Sequence, residues 1–82
     1  MNSEQIVKLI ESGLPDSSAW VRSEDNTHFE AIVVSSQFDG KRSIARHQMI
    51  YGVLGDRVGG EIHALSIRAY TPEEWEEARV GH

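Results

Sequence analysis

The spacing of hydrophobic positions switches between helical and strand periods along the chain, and turn residues mark each switch. Ile6, Leu9 and Ile10 recur at helical spacing. Asn2 can cap this helix, with Gln5 three residues later completing a capping-box pattern, and Gly13 ends it before Leu14-Pro15. Ser18 to Ser23 is a short strand carrying Trp20 and Val21. Both Ala19/Val21 and Trp20/Arg22 are compatible with its inward face. Glu24-Asp25-Asn26-Thr27 reads as a hairpin turn, because Asp and Asn tolerate turn geometry. His28 to Ser35 is the clearest strand, since Phe29, Ile32, Val33 and Val34 suit a pleated, half-buried surface.

Phe38-Asp39-Gly40 breaks the strand signal and leads into a longer helix, Ser43 to Val58. There Ile44, His47, Tyr51, Leu54 and Val58 alternate by threes and fours, and Ile50 and Val53 widen the stripe. Gly52 within this helix costs up to ~1 kcal/mol relative to Ala. Gly59-Gly60 stops it, and Glu61 to Tyr70 follows as a third strand. Its alternation places His63, Leu65, Ile67 and Ala69 on one face and Ala64, Ser66 and Arg68 on the other. Thr71-Pro72-Glu73-Glu74 then starts a final helix: Thr71 caps, Pro72 takes the first helical position, and the acids suit the positive helix end. Trp75 and Ala78 can fold that helix back on the rest. The predicted class is α+β, with one domain over residues 1–82. Its three-stranded mixed sheet is covered by helices on one face. The first two strands make an antiparallel hairpin, and the intervening helix is long enough for a parallel crossover to the third.

Charge and composition narrow the chemistry. Eight Lys and Arg against 13 Asp and Glu give a net charge of −5, which disfavours broad binding to nucleic acid or anionic membrane. The chain has no cysteine, so a thiolate ligand for any soft metal or cluster must come from a partner. No apolar run nears the ~20 residues of a membrane span, and the amphipathic start, with Glu4, Lys8 and Glu11, does not resemble a secretory leader. Cytoplasm is the expected location. No thiol nucleophile, Gly-x-Ser-x-Gly elbow or phosphate-binding Gly loop occurs, so no enzyme activity is expected.

Several ordered segments resemble the BolA family, especially its IbaG (YrbA) branch. They are Thr27-His28-Phe29, Phe38-Asp39-Gly40, Arg46-His47-Gln48-Met49-Ile50-Tyr51, Ile62-His63-Ala64-Leu65-Ser66-Ile67 and Ala69-Tyr70-Thr71-Pro72-Glu73-Glu74-Trp75. The resemblance implies a class II KH-like fold and partnership with monothiol glutaredoxins carrying a Cys-Gly-Phe-Ser active site. It further implies a [2Fe-2S] cluster held only when shared with the glutaredoxin cysteine and glutathione. Roles in iron–sulfur cluster trafficking and stress response follow from the same resemblance, with DNA-binding transcriptional regulation as the alternative. Two departures stand out. The loop after the first strand is short and lacks the extra His or Cys that other branches use as a ligand. Nor is there a Gly-x-x-Gly loop, the element with which KH domains clamp nucleic-acid backbone: the one such spacing, Gly52 to Gly55, falls within the predicted helix.

The histidines are the candidate metal donors. His63 matches the family's characteristic histidine, and imidazole ligation of a [2Fe-2S] centre raises its potential. On its residues alone, a His sharing a face with Leu65 and Ile67 also reads as a packed side chain. His28 follows the hairpin turn and can approach the strand carrying His63, or be an ordinary strand-edge residue. His47, on the apolar stripe, reads as a half-buried residue bonded to backbone. Lys41, Arg42 and Arg46 concentrate positive charge at the start of the longer helix, either as a docking patch for phosphate, glutathione, an acidic partner or weakly bound DNA, or as a solvated face. Glu73, Glu74, Glu76 and Glu77 read as capping and solubilising groups. Alone, the protein is expected to be a monomer or weak homodimer.

Overall fold

In the computed structural model, residues 1–60, 62 and 64–80 are described. The first helix, α1, spans Ser3–Gly13. Its capping box is reciprocal: the Gln5 N–H donates to the Asn2 side chain, and the Asn2 N–H donates to Gln5 Oε1, both at 2.9 Å. Strands β1 (Ser17–Arg22) and β2 (His28–Ser35) pair antiparallel, with Trp20 opposite Ile32 and Arg22 opposite Glu30. Helix α2 (Ser43–Leu54) and a 3-10 turn at Gly55–Arg57 then carry the chain to β3 (Ala64–Tyr70). This third strand runs parallel to β2, with His28 opposite Ala64 and Ile32 opposite Arg68. The sheet order is β1-β2-β3, so β2 is central.

The core lies between the sheet and two helices. Ile6 and Ile10 of α1, Phe29 and Val33 of β2, Ile50 and Leu54 of α2, and Phe38 from the connecting 3-10 turn are all fully buried. Tertiary packing resolves the ambiguity in β1. Ala19 is buried and Val21 packs on the core, whereas Trp20 is 50% exposed on the opposite face. Helix α1 lies against the Ala19 side, where the Glu11 carboxylate accepts the Ala19 N–H at 3.0 Å. A carboxylate thus occupies an outward N–H of this edge strand, which discourages pairing with another chain.

Helix α2 departs from its expected facing. Ile44 is 69% exposed and Tyr51 is also exposed, while Ile50 and Leu54 are buried with Met49 and Val53 packed beside them. Ile50, Val53, Leu54 and Val58 of the predicted surface do face the core, joined by Met49, so the departure is confined to the Ile44 and Tyr51 edge of the stripe. Met49, Ile50, Val53 and Leu54 form a continuous apolar surface, and the sheet takes it. Ile44 and Tyr51 are left toward water, with half-buried His47 at the margin. The helix also stops before Val58, because Gly55 takes a positive φ of 61° at its end. The third strand is described from Ala64; Glu61 and His63 of its expected start lie outside the described residues, and buried Ile62 makes an isolated parallel bridge with Val58.

Helix α3 (Pro72–Val80) starts as its residues predict. The Glu74 N–H donates to Thr71 Oγ1 at 3.2 Å, and the Thr71 N–H donates to Glu74 Oε1 at 2.9 Å. The expected cover of one sheet face comes from α1 and α2. Helix α3 reaches the other face through Trp75, whose ring stacks on Trp20 and tilts against Tyr70, both at a centroid distance of 5.4 Å. None of its residues is fully buried. This helix is held by a few specific contacts rather than by a core.

Candidate functional site

The β1–β2 connection folds around one carboxylate. Asp25 Oδ1 accepts the backbone N–H groups of Thr27 and His28, each at 2.9 Å, and Asp25 Oδ2 lies 2.9 Å from His28 Nδ1. Ser23 Oγ accepts the Asn26 N–H at 2.9 Å and donates to Asp25 Oδ1 at 3.3 Å. Asn26 takes a left-handed φ of 57°, a conformation that Asn adopts more readily than most residues. These bonds hold the Asp25 carboxyl well below the usual carboxylate range, the His28 backbone N–H contributing most, then the His28 side chain and the Thr27 N–H. Asp25 is therefore an acceptor only at neutral pH.

His28 opens β2 with its side chain 74% exposed, so the ring is accessible while one nitrogen is tied down. Across the ladder stands Ala64, whose N–H donates to the Thr27 carbonyl at 3.3 Å. A shallow cleft of about 370 Å³ lies here, bordered by Arg22, Asp25, His28, Glu30, Ala64 and Ser66. Arg22 and Glu30 close its side as an exposed ion pair at 2.5 Å, and Glu30 holds the Arg22 guanidinium above its ordinary pKa. A larger hollow of about 710 Å³ continues over the open sheet face past Trp20, Ile32 and Arg68. It is the roomier of the two but brings no imidazole or free carboxylate, so the chemistry points to the His28 end.

His63, the other predicted metal donor, and terminal His82 lie outside the described residues. Its chain neighbours Ile62 and Ala64 are described, the first buried and the second opposite His28. His47 is half-buried on α2, and its ring makes no hydrogen bond among the described residues, contrary to the expected backbone contact. Among the described residues no group of three or more His, Asp or Glu could hold a metal ion.

The proposed basic patch is corrected at its centre. Lys41 and Arg42 are exposed, but the Arg46 side chain is only 12% exposed and points inward. Its Nε donates to the Lys41 carbonyl at 2.8 Å and its Nη1 to the Ala69 carbonyl at 3.2 Å. The same guanidinium grips Glu74 through both terminal nitrogens, at 2.5 and 3.3 Å, and lies 5.9 Å from the centroid of the Phe38 ring. Arg46 first and the Thr71 N–H second hold the Glu74 carboxyl below its usual value. Arg46 is a clamp between α2, the end of β3 and α3. The planar guanidinium can serve backbone carbonyls and a carboxylate together, as an ammonium could not.

Sequence reading missed two features of this region. The role of Asp25 had a signal: an Asp two and three residues before the N–H groups it binds is the pattern of an Asx turn. The aromatic cluster of Trp20, Tyr70 and Trp75 had none, because its members are brought together only by the sheet register and the return of α3. No helix among the described residues is long and apolar enough to cross a membrane.

Residues 9–74 match the family model described as BolA-like protein. An uncharacterised protein of the rpoN-murA intergenic region of Acinetobacter guillouiae is 39% identical over 81 residues, covering 98% of this chain and 96% of that one. The DNA-binding transcriptional regulator BolA of Escherichia coli is 42% identical over 50 residues, which are 61% of this chain and 48% of that protein. A bolA protein homologue from Coxiella burnetii superposes with a TM-score of 0.85 at 38% identity, covering 93% of this chain and 97% of that one. The chain belongs to the BolA-like protein family.

Proposed function

We propose that this protein is an adaptor of the IbaG-like branch that partners a monothiol glutaredoxin and shares a [2Fe-2S] cluster with it as cargo, in iron–sulfur cluster trafficking and stress response. The carrying observation is His28, an exposed imidazole tied through Nδ1 alone among the described residues and paired with Ala64 across the ladder. The family resemblance adds His63, next to Ala64 in the sequence, as the second donor. The donor set fits a shared cluster and not a resident one: without cysteine, the chain can complete a ligand set but not supply it. Partner thiolates, from the glutaredoxin and glutathione, provide the rest.

Mixing the protein with a monothiol glutaredoxin, glutathione, iron and sulfide tests this reading by visible absorption and circular dichroism. A spectrum differing from that of the glutaredoxin alone, and changed again by His63→Ala, is expected. An identical spectrum with and without this protein overturns it. The isolated protein is expected to carry no iron or sulfide through size exclusion.

A second reading, DNA-binding regulation, is supported by the name of the Escherichia coli relative and by exposed Lys41 and Arg42 at the start of α2. With Arg46 engaged internally, few phosphate contacts remain on a chain of net charge −5. Binding to duplex DNA should be weak and fall steeply with salt. Sequence-specific nanomolar binding at physiological salt would favour regulation over the adaptor.

A further inference from the structure

We infer that Asp25 is a positioning residue that fixes the tautomer of His28, placing the proton on Nδ1 and leaving the Nε2 lone pair exposed for a metal. The inference rests on the adaptor reading only for its purpose; the tautomer itself follows from geometry. Asp25 Oδ2 stands 2.9 Å from His28 Nδ1, a hydrogen-bond distance, so a proton must lie between the two atoms. An ionised carboxylate has no proton to give. Its other oxygen is already occupied by the N–H groups of Thr27 and His28, and these bonds keep the carboxylate from turning away. In the neutral imidazole the Nδ1 site then carries the hydrogen, and Nε2 is the acceptor.

No other described side chain hydrogen-bonds to Nε2, and the ring is largely exposed. The lone pair therefore points to solvent or to an arriving partner. A carboxylate behind a ligating imidazole also holds the ring plane, the arrangement found behind histidine ligands in metal proteins. Here it is built into a five-residue loop before any metal arrives. That loop does what a longer ligand-bearing loop would otherwise do: it delivers one oriented donor at low entropic cost.

The test uses the protein alone, with ¹⁵N-labelled histidine and long-range ¹H–¹⁵N correlation spectra recorded well above the ordinary histidine pKa of about 6.5. His28 is expected to show a pyrrole-type Nδ1 and a pyridine-type Nε2. In Asp25→Asn the side-chain oxygen can keep the two backbone N–H bonds, while the amide nitrogen becomes a donor toward Nδ1. The His28 tautomer should then invert, with the hydrogen on Nε2. A predominant Nε2–H tautomer in the unaltered protein overturns the inference, and so does an unchanged tautomer in Asp25→Asn with Thr27 and His28 amide shifts preserved. Should that variant lose its loop, the unaltered protein still decides the matter. Because neither spectrum involves glutaredoxin or a cluster, a failure here is distinct from failure of the adaptor reading, which the mixed-cluster spectra judge.

Discussion

Two carboxylates, Asp25 and Glu74, sit at different turns of the chain and are used in opposite ways. Each accepts a backbone N–H two or three residues away, and each is held below the usual carboxylate range by its hydrogen bonds. Glu74 spends its second interaction on Arg46, a side chain largely removed from water, and so joins α3 to α2 and to the end of β3. Asp25 spends its second interaction on an exposed imidazole whose far nitrogen has no partner among the described residues. The first arrangement is closed, with donors matched to acceptors. The second is open by one donor. Similar local chemistry thus closes on itself where the partner is buried and leaves a nitrogen accessible where it is not.

The largest break in this contrast should come from Arg46→Ala. It removes the pair with Glu74, the bonds to the Lys41 and Ala69 carbonyls and the contact with the Phe38 ring. With Glu74 partly exposed, solvent screening limits the ionic share, and a loss of about 2 kcal/mol is expected. For a domain of this size that is a fall in melting temperature of about 10 °C, measured by thermal denaturation. A shift within about 2 °C would mean the clamp is decorative and Arg46 available for the basic patch.

Acid should produce the next effect, confined to the closed end at first. The Glu74 pKa is lowered on folding, so its contribution is fully present above the unfolded value of about 4.3 and is lost as pH falls through the folded value. Helix α3 should therefore loosen below the ordinary Glu range. Trp75 and Trp20 are the only two tryptophans, and they are stacked, so tryptophan emission reports the change directly. Emission that stays constant until global unfolding would show that the stack holds α3 without the clamp.

The smallest stability effect is expected from His28→Ala, within about 0.5 kcal/mol, because an exposed side chain leaves little behind. Its effect on the mixed-cluster circular dichroism should nevertheless be clear. A variant that melts early with an unchanged cluster spectrum would place His28 with Glu74, among the structural groups.

The order of elements, the caps at Asn2 and Thr71, and the exact span of β2 were all legible along the chain, because each depends on residues within a few positions of one another. Capping geometry and strand alternation are local, and so is the Asx turn that organises Asp25. The resemblance blocks also carried the family. What the chain order did not contain was rotation and partnership at a distance. The facing of β1 was settled by where α1 docks, and the edge of the α2 stripe, with Met49 inside and Ile44 and Tyr51 outside, by which positions reach the core. Arg46 reads as a free cation until Glu74, 28 residues away, is folded against it. Periodicity is a property of neighbours and can be read from them. Whether a charge meets solvent or a partner depends on contacts across the whole fold, and only the tertiary structure decides it.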